Sequence, residues 1–498
     1  MAVAIELHPA VVRFLACQPK RMLIGGEWVE AASGKTFNAF NPATGQALAQ
    51  VAEADREDID RAVRAARRAF EGAWAKVKPA ARQLLLFRLA DLLEANGDEL
   101  AELEVLNNGM PIAMAKGMIP RVAELLRYYA GWATKIHGET VPTSVPGEFF
   151  TYTVREPVGV VGAITPWNSP LVTLAWKLGP ALATGCTIVV KPAEQTPLTT
   201  LRVGELALEA GIPAGVVNIC PGFGPTAGAA LAEHPDVDKI AFTGEYTTGQ
   251  LIVKASAGNL KRVSLELGGK SPDIVFADAD LETAVPGAAW AIFRNAGQVC
   301  CAGSRLFVEQ AVYDRFVARM VEYASTIRVG NGLDPDTQMG PLISPEQLER
   351  VAGYLRIGKQ EGATPLIGGE RATAGELAQG YFVPPTVFDH VRPDMRIARE
   401  EIFGPVVTAI PFRTLDEVMR LSNATRYGLA GGIWTRDLQK AHRAARALQS
   451  GVVWVNCYNV FDPAMPFGGY KMSGYGRESG QQALDLYTQV KAVWMKID

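Results

Sequence analysis

The chain has 498 residues, 48% of them hydrophobic, and a net charge of −3. At ~100–200 residues per domain it holds roughly two to four packed units, with cores large enough to need no disulfide or metal staple. The balanced charge argues against nucleic acid or an anionic membrane as the main partner. Six cysteines without CxxC spacing and five scattered histidines without HExxH give no basis for a disulfide framework or a metal site, so no metal is expected and a reducing, cytoplasmic setting fits.

The opening stretch, MAVAIELHPAVVRFLAC, carries an acid at Glu6 and no basic start, so it does not read as a signal peptide. Ile59, Val63, Ala66 and Phe70 share one face of a predicted helix. Leu85, Leu89 and Leu92 share a face of another, which ends at Asn96-Gly97. The uncharged run 157–176, PVGVVGAITPWNSPLVTLAW, could cross a bilayer on length alone. Its prolines, its glycines and Asn168 read better as strand, tight turn and helix.

After Thr151 short apolar runs alternate with helical stretches. VGVVGAIT (158–165), TIVV (187–190), VVNIC (216–220), KIAFT (239–243) and VSLEL (263–267) read as strands, with helices at 196–211 and 224–234. That alternation implies right-handed crossovers and a parallel sheet covered by helices on both faces, an α/β fold. A second alternation starts near Asp273 with DIVF, a helix ending near Phe293, RLFVE and VYDRFVARMVEYAS, and runs to GVVWVN (451–456). The join ELGGK (266–270) would lie between the two units, where ligand sites gather. The last run, YTQVKAVWMKI (487–497), alternates like an edge strand in need of a partner.

Four short stretches carry candidate chemistry. NAGQVCCAGS (295–304) holds two adjacent cysteines. Neighbouring side chains of an extended segment point to opposite faces, so one thiol can line a cleft while the other packs behind it. Free cysteines are more often small buried hydrophobes; a nucleophile needs access and a stabilised thiolate. Glu266 is a candidate base, or else a solvated surface carboxylate. TPWNSP (165–170) fixes Asn168 between prolines, where its NH2 could stabilise an oxyanion or simply bond its own turn. Gly222–Gly228 (GFGPTAG) is one residue off the GxGxxG fingerprint. Phe242–Gly249 (FTGEYTTG) leads from a strand into a helix whose N-terminus can hold a phosphate. Alone, each of these last two is equally an ordinary turn.

Taken in order, PWNSP, KPAEQTP, FTG, LELGGKSP, GQVC, EEIFGP and PFGGYKMSG resemble the NAD(P)-dependent aldehyde dehydrogenase superfamily, over roughly Met22 to Trp494. The resemblance implies a Rossmann-like NAD-binding domain (1–135 and 154–266), an α/β catalytic domain (267–480) and a small β oligomerisation arm (136–153 and 481–498), in a homodimer or homotetramer. It implies oxidation of a small-molecule aldehyde to its acid with NAD. Cys300 would attack the aldehyde carbon, with Cys301 its packed neighbour. Asn168 and the Cys300 N–H would hold the oxyanion, and Glu266 would activate water against the thioester. Glu478 and Lys177 match proton-relay positions. Lys191 and Glu194 match the adenine ribose, where a carboxylate favours NAD over NADP. Glu401 and Phe403 match the nicotinamide ribose and ring. Thr165, Trp167, Gly244, Glu245, Gly249 and Leu267 match other positions around the cofactor. Trp176, Phe461, Phe467, Cys301, Arg121 and Arg294 match positions along the substrate tunnel.

Two departures stand out. Glu245 replaces a serine that contacts the pyrophosphate in many members; it is expected to turn away and cap its own helix. Arg294 and Arg121 stand where many relatives carry aromatic or apolar residues. Two arginines suit a carboxylate-bearing aldehyde, whereas Trp176, Phe461 and Phe467 match the aromatic wall of relatives that take neutral aldehydes. The competing functions are a CoA-acylating dehydrogenase, which needs no water-activating glutamate, and a non-catalytic scaffold.

Overall fold

A computed structural model describes residues 6–498; residues 1–5, which belong to the stretch weighed above as a leader, lie outside the described residues. The helix Arg56–Glu71 starts in a capping box between Asp55 and Asp58 and buries Ile59, Val63 and Ala66. The helix Pro79–Ala95 buries Leu86, Leu89 and Leu93. Its packed face is thus rotated slightly from the Leu85-Leu89-Leu92 stripe, because it lies against the long helix Ile112–Trp132.

The first sheet has eight strands, in the order 474–475, 262–266, 239–243, 160–164, 187–191, 217–219, 22–24 and 27–29. The pairings among 262–266, 239–243, 160–164, 187–191 and 217–219 are all parallel. These strands read as continuous apolar runs because helices such as Pro170–Thr184 and Leu198–Glu209 cover the sheet. From Val160–Ile164 the chain winds outward through 187–191 to 217–219, then returns to 239–243 on the other side. This reversal is a topological switch point, where ligands settle beyond the carboxyl ends of the strands. Thr165, Lys191, Gly244 and Glu266 all stand at those ends.

The second sheet has seven strands, in the order 364–367, 386–389, 406–412, 305–309, 272–275, 430–434 and 452–455. Only 364–367 is antiparallel to its neighbour. Cys300 lies just before the strand Arg305–Glu309, and Glu401 and Phe403 just before Val406–Phe412. The site therefore draws on the carboxyl ends of one sheet and the amino ends of the other. The strand Gly474–Tyr475, sequence-assigned to the second unit, instead pairs with Leu265 and Glu266 at the edge of the first sheet.

The C-terminal strand Thr488–Lys496 pairs antiparallel with Phe149–Pro157, so the pairing runs on past residue 153. Thr140 bridges to Tyr152 at its far edge. Val490 and Trp494 on this ribbon are 61% and 57% exposed. Among the described residues no helix is long and apolar enough to cross a membrane. The run 157–176 divides into the end of one strand, the strand Val160–Ile164, a turn and the helix from Pro170.

Candidate active site

The turn after Phe293 carries Asn295 and Ala296 at φ 49° and 53°. It delivers Cys300 mostly buried but still partly open to solvent, while Cys301 is only 1% exposed. Cys301 Sγ lies 3.5 Å from Asn459 Oδ1, and Tyr458 Oη donates to the Cys301 carbonyl at 2.7 Å. The hydrogen bond with Cys301, and after it burial, pushes the Cys300 thiol well above its ordinary pKa. Cys300 is therefore a protonated thiol at rest.

Gly297, at φ +71°, lets this turn press against the next loop. A Cβ there would come within 2.0 Å of the Gly404 carbonyl oxygen. Gly297→Ala is expected to cost about 1–3 kcal/mol or more from the left-handed φ and the clash, seen as a lower Tm with activity falling alongside.

Asn168 is buried beside the cysteine turn. Its Nδ2 donates to the Gln298 carbonyl at 2.9 Å, and its backbone carbonyl accepts from Asn295 Nδ2 at 2.9 Å. A primary amide has two N–H groups, so one remains for another acceptor.

Glu266 ends its strand at 4% exposure, and neither carboxyl oxygen has a hydrogen-bond partner. Burial first, and then the nearby Glu478 carboxylate, raises its pKa well above 4.5, with Lys177 opposing. Gly468 makes room for it: a Cβ there would lie 2.6 Å from Glu266 Oε1. Behind it, Lys177 Nζ donates to Thr243 Oγ1 at 2.7 Å and to Glu478 Oε1 at 2.8 Å, and Glu478 Oε2 is left without a partner.

The remaining positions extend along the first sheet. Lys191 Nζ donates to the Gly222 carbonyl at 2.7 Å and lies 3.3 Å from Glu194 Oε2. The segment Gly222–Gly228 thus packs around Lys191, but as a π-helical turn from Gly224 rather than a dinucleotide fingerprint. Thr165 Oγ1 is buried without a partner. Glu245 caps the helix Tyr246–Ser256, accepting from Thr247 N at 2.9 Å. Gly249 is buried where a Cβ would meet Leu267 at 3.0 Å, so its smallness serves packing. Gly244 donates its N–H to the Glu266 carbonyl at 3.0 Å. Glu401 Oε1 accepts from Gly269 N at 3.0 Å, and burial lifts its carboxyl pKa to about 7. The Trp167 and Phe403 rings meet edge-on at 5.2 Å, with Phe403 at φ +61°. A dinucleotide suits this set. Its hydroxyls would satisfy the orphaned Thr165 Oγ1 and the half-exposed Glu194, and its ring would fit by Phe403.

On the other side of the thiol the rings of Trp176 and Phe467 stand 5.2 Å apart, and those of Phe461 and Phe467 5.7 Å apart. Arg294 follows the helix Leu281–Phe293, half-buried, and Arg121 is exposed on the helix Ile112–Trp132.

Sequence reasoning gave no role to Gln298 beyond its place in GQVC. Its buried amide ties the turn together, donating to Asn295 O and Pro341 O and accepting from Ile343 N. Asn459 and Thr243 were also missed, since their contacts to Cys301 and Lys177 cross 158 and 66 positions. No local pattern signals such pairs.

Comparison with known proteins agrees with this fold. A family model described as the aldehyde dehydrogenase family matches residues 28–493. The mitochondrial aldehyde dehydrogenase of Homo sapiens is 53% identical over 96% of this chain and 92% of its own. An aldehyde dehydrogenase of Aspergillus niger is 50% identical over 96% of each. The NAD+ complex of an aldehyde dehydrogenase from Bacillus cereus superposes with a TM-score of 0.97, at 53% identity and 100% coverage of both chains. With its accessible thiol, enclosed carboxyl and paired α/β sheets, the chain belongs to the aldehyde dehydrogenase family.

Proposed function

We propose that this aldehyde dehydrogenase works hydrolytically: Cys300 forms a thiohemiacetal, the thiohemiacetal becomes a thioester, and water directed by Glu266 releases the acid. NAD, when bound, accepts the hydride. The observation that carries this reading is a partnerless, buried Glu266 carboxyl near a partly exposed thiol. A CoA-acylating enzyme or an inert scaffold would have no use for so costly a group.

Cys300 Sγ supplies the nucleophile, and its proton passes to a nearby base. Burial favours the neutral form of both the thiol and Glu266, so the site gains reactivity as a proton leaves. Lys177 and Glu478 offer the route inward, with Glu478 Oε2 free to take part. The oxyanion sits between the second Asn168 N–H and the Cys300 backbone N–H, which among the described residues donates to no other group. Asn168→Ala is expected to lower kcat by about 10²–10³-fold, the usual cost of losing one such donor, with KM changing far less.

Glu194 beside Lys191 supports NAD over NADP through repulsion of a 2′-phosphate. Residues 1–135 and 154–266 act as the cofactor half and residues 267–480 as the catalytic half. The exposed apolar ribbon of Phe149–Pro157 and Thr488–Lys496 supports a homodimer or homotetramer. Six free cysteines fit a reducing, cytoplasmic compartment. The direct test is to supply an aldehyde and NAD without CoA: NADH and free acid should appear one for one. A requirement for CoA, or NAD binding without turnover, would reject the reading.

A further inference from the structure

The helix Gly97–Asn108 ends in three polar side chains that are almost wholly buried, Glu104, Asn107 and Asn108. Spacings of three and four from Glu104 keep them on one side of the helix. Burying an amide costs free energy unless its hydrogen bonds are replaced, and the replacements here lead to the two loops that carry the site. Asn108 Nδ2 donates to the Trp167 carbonyl at 2.8 Å. That carbonyl and the Asn168 N–H share one planar peptide, so Asn108 fixes the plane from which Asn168 starts. Asn107 works on the other loop. Its Nδ2 donates to the Gln195 carbonyl at 2.8 Å, and its Oδ1 accepts from Leu198 N at 3.2 Å. Gln195 follows Glu194 directly, so this amide spans the turn just after that carboxylate.

The helices that follow the two loops, Pro170–Thr184 and Leu198–Glu209, begin at Ser169 and Pro197, and neither residue's side chain caps its helix. The Leu198 N–H, one of the orphan donors of such a start, is met by Asn107 instead. Burial pushes the Glu104 carboxyl up to about 7, with the Thr199 hydroxyl and the Leu171 N–H pulling the other way. Those two groups lie in the first turns of the same two helices. The end of the helix is also wedged against the catalytic unit. A Cβ on Gly109, at φ +92°, would meet Pro341 Cγ at 2.7 Å. The Pro341 carbonyl in turn accepts from Gln298 Nε2 of the cysteine turn at 3.3 Å.

We propose that Asn108 and Asn107 are positioning residues with separate duties. Asn108 acts through the Trp167–Asn168 peptide on the oxyanion site, and Asn107 acts through Gln195 on the cofactor site at Glu194. One helix end thus aligns the chemistry and the cofactor, each by its own amide. This rests on the dehydrogenase reading above.

The test reads the two duties apart, with propanal as the aldehyde. Asn108→Ala should lower kcat about 10–30-fold, part of the 10²–10³-fold cost of losing an oxyanion donor itself, while the Kd for NAD moves less than about threefold. Asn107→Ala should raise the Kd for NAD about tenfold, the scale of one lost hydrogen bond, while kcat at saturating NAD falls by less than about threefold. Because Asn108 acts through Asn168, adding Asn108→Ala to Asn168→Ala should cost less than about threefold more. Turnover is counted per NAD bound, so a poorly folded fraction cancels, and Asn107→Ser or Asn108→Ser replaces an alanine variant that does not fold. Two results overturn the proposal. One is that both single variants lose kcat and NAD affinity together, as a general loosening would give. The other is that Asn108→Ala keeps its whole effect in the Asn168→Ala background. Wild-type enzyme that forms no NADH from propanal rejects the dehydrogenase reading and the duty of Asn108 with it, whereas the NAD titration of Asn107→Ala decides its own half without turnover.

Discussion

Cys300→Ser is expected to lower kcat for aldehyde oxidation by about 10⁴-fold or more, the scale of losing a covalent nucleophile, while Cys301→Ser holds it within about tenfold. The contrast follows from surroundings, since the two residues are chemically identical. Cys300 is partly exposed, whereas Cys301 is 1% exposed, its Sγ beside Asn459 and its carbonyl taken by Tyr458. A serine at 301 would bond Asn459 Oδ1 better than the thiol does and leave the turn in place. A serine hydroxyl at 300 is a much weaker acid and nucleophile than the thiol it replaces. Steady-state NADH formation by the two purified variants decides the matter; comparable losses in both would mean that neither thiol alone is the nucleophile.

Glu266→Gln separates the two halves of the reaction. The first turnover should still give a burst of NADH close to the enzyme concentration, because thioester formation does not need the water-activating group. Later turnovers should slow by about 10²–10⁴-fold, the usual contribution of a positioned general base. Stopped-flow absorbance reads both phases; a lost burst with an unchanged ratio of phases would place Glu266 at the thiol rather than at the water. The pH dependence follows from the same residue. Its carboxyl is raised well above 4.5 by burial and by Glu478, and only the ionised form can act as base. Wild-type turnover should therefore fall as pH drops through that raised value, and the glutamine variant should lose this limb. Stability runs the other way. Between 4.5 and the raised value the folded carboxyl holds a proton that the unfolded chain has released, so this group's contribution is present at low pH and lost as pH rises through the folded pKa.

Much of this was legible in the chain. The parallel strands showed as apolar runs because both of their faces are covered, and the runs read as strands at 158–165, 187–190 and 239–243 hold the strands Val160–Ile164, Thr187–Lys191 and Lys239–Thr243 to within two residues. The family motifs pointed to Cys300, Asn168 and Glu266. What escaped was either too short or too distant to leave a local trace. Gly474–Tyr475 is a two-residue strand without a period, and it crosses back to the first sheet. The rotation of the helix Pro79–Ala95 was set by its neighbour rather than by its own spacing. Arg294 was visible as a residue, but that it is half-buried with no partner among the described residues is a property of the folded chain alone.

Asn168 belongs to the first sheet's loop, yet its side-chain amide and its backbone carbonyl are both tied to the turn that bears Cys300, through Gln298 and Asn295. The group that steadies the negative oxygen and the sulfur that creates it are thus mounted as one rigid part. If the cofactor cleft opens to exchange its occupant midway through the cycle, the acyl group can stay parked on that part with its geometry intact. The enzyme need not rebuild its catalytic grip before water arrives.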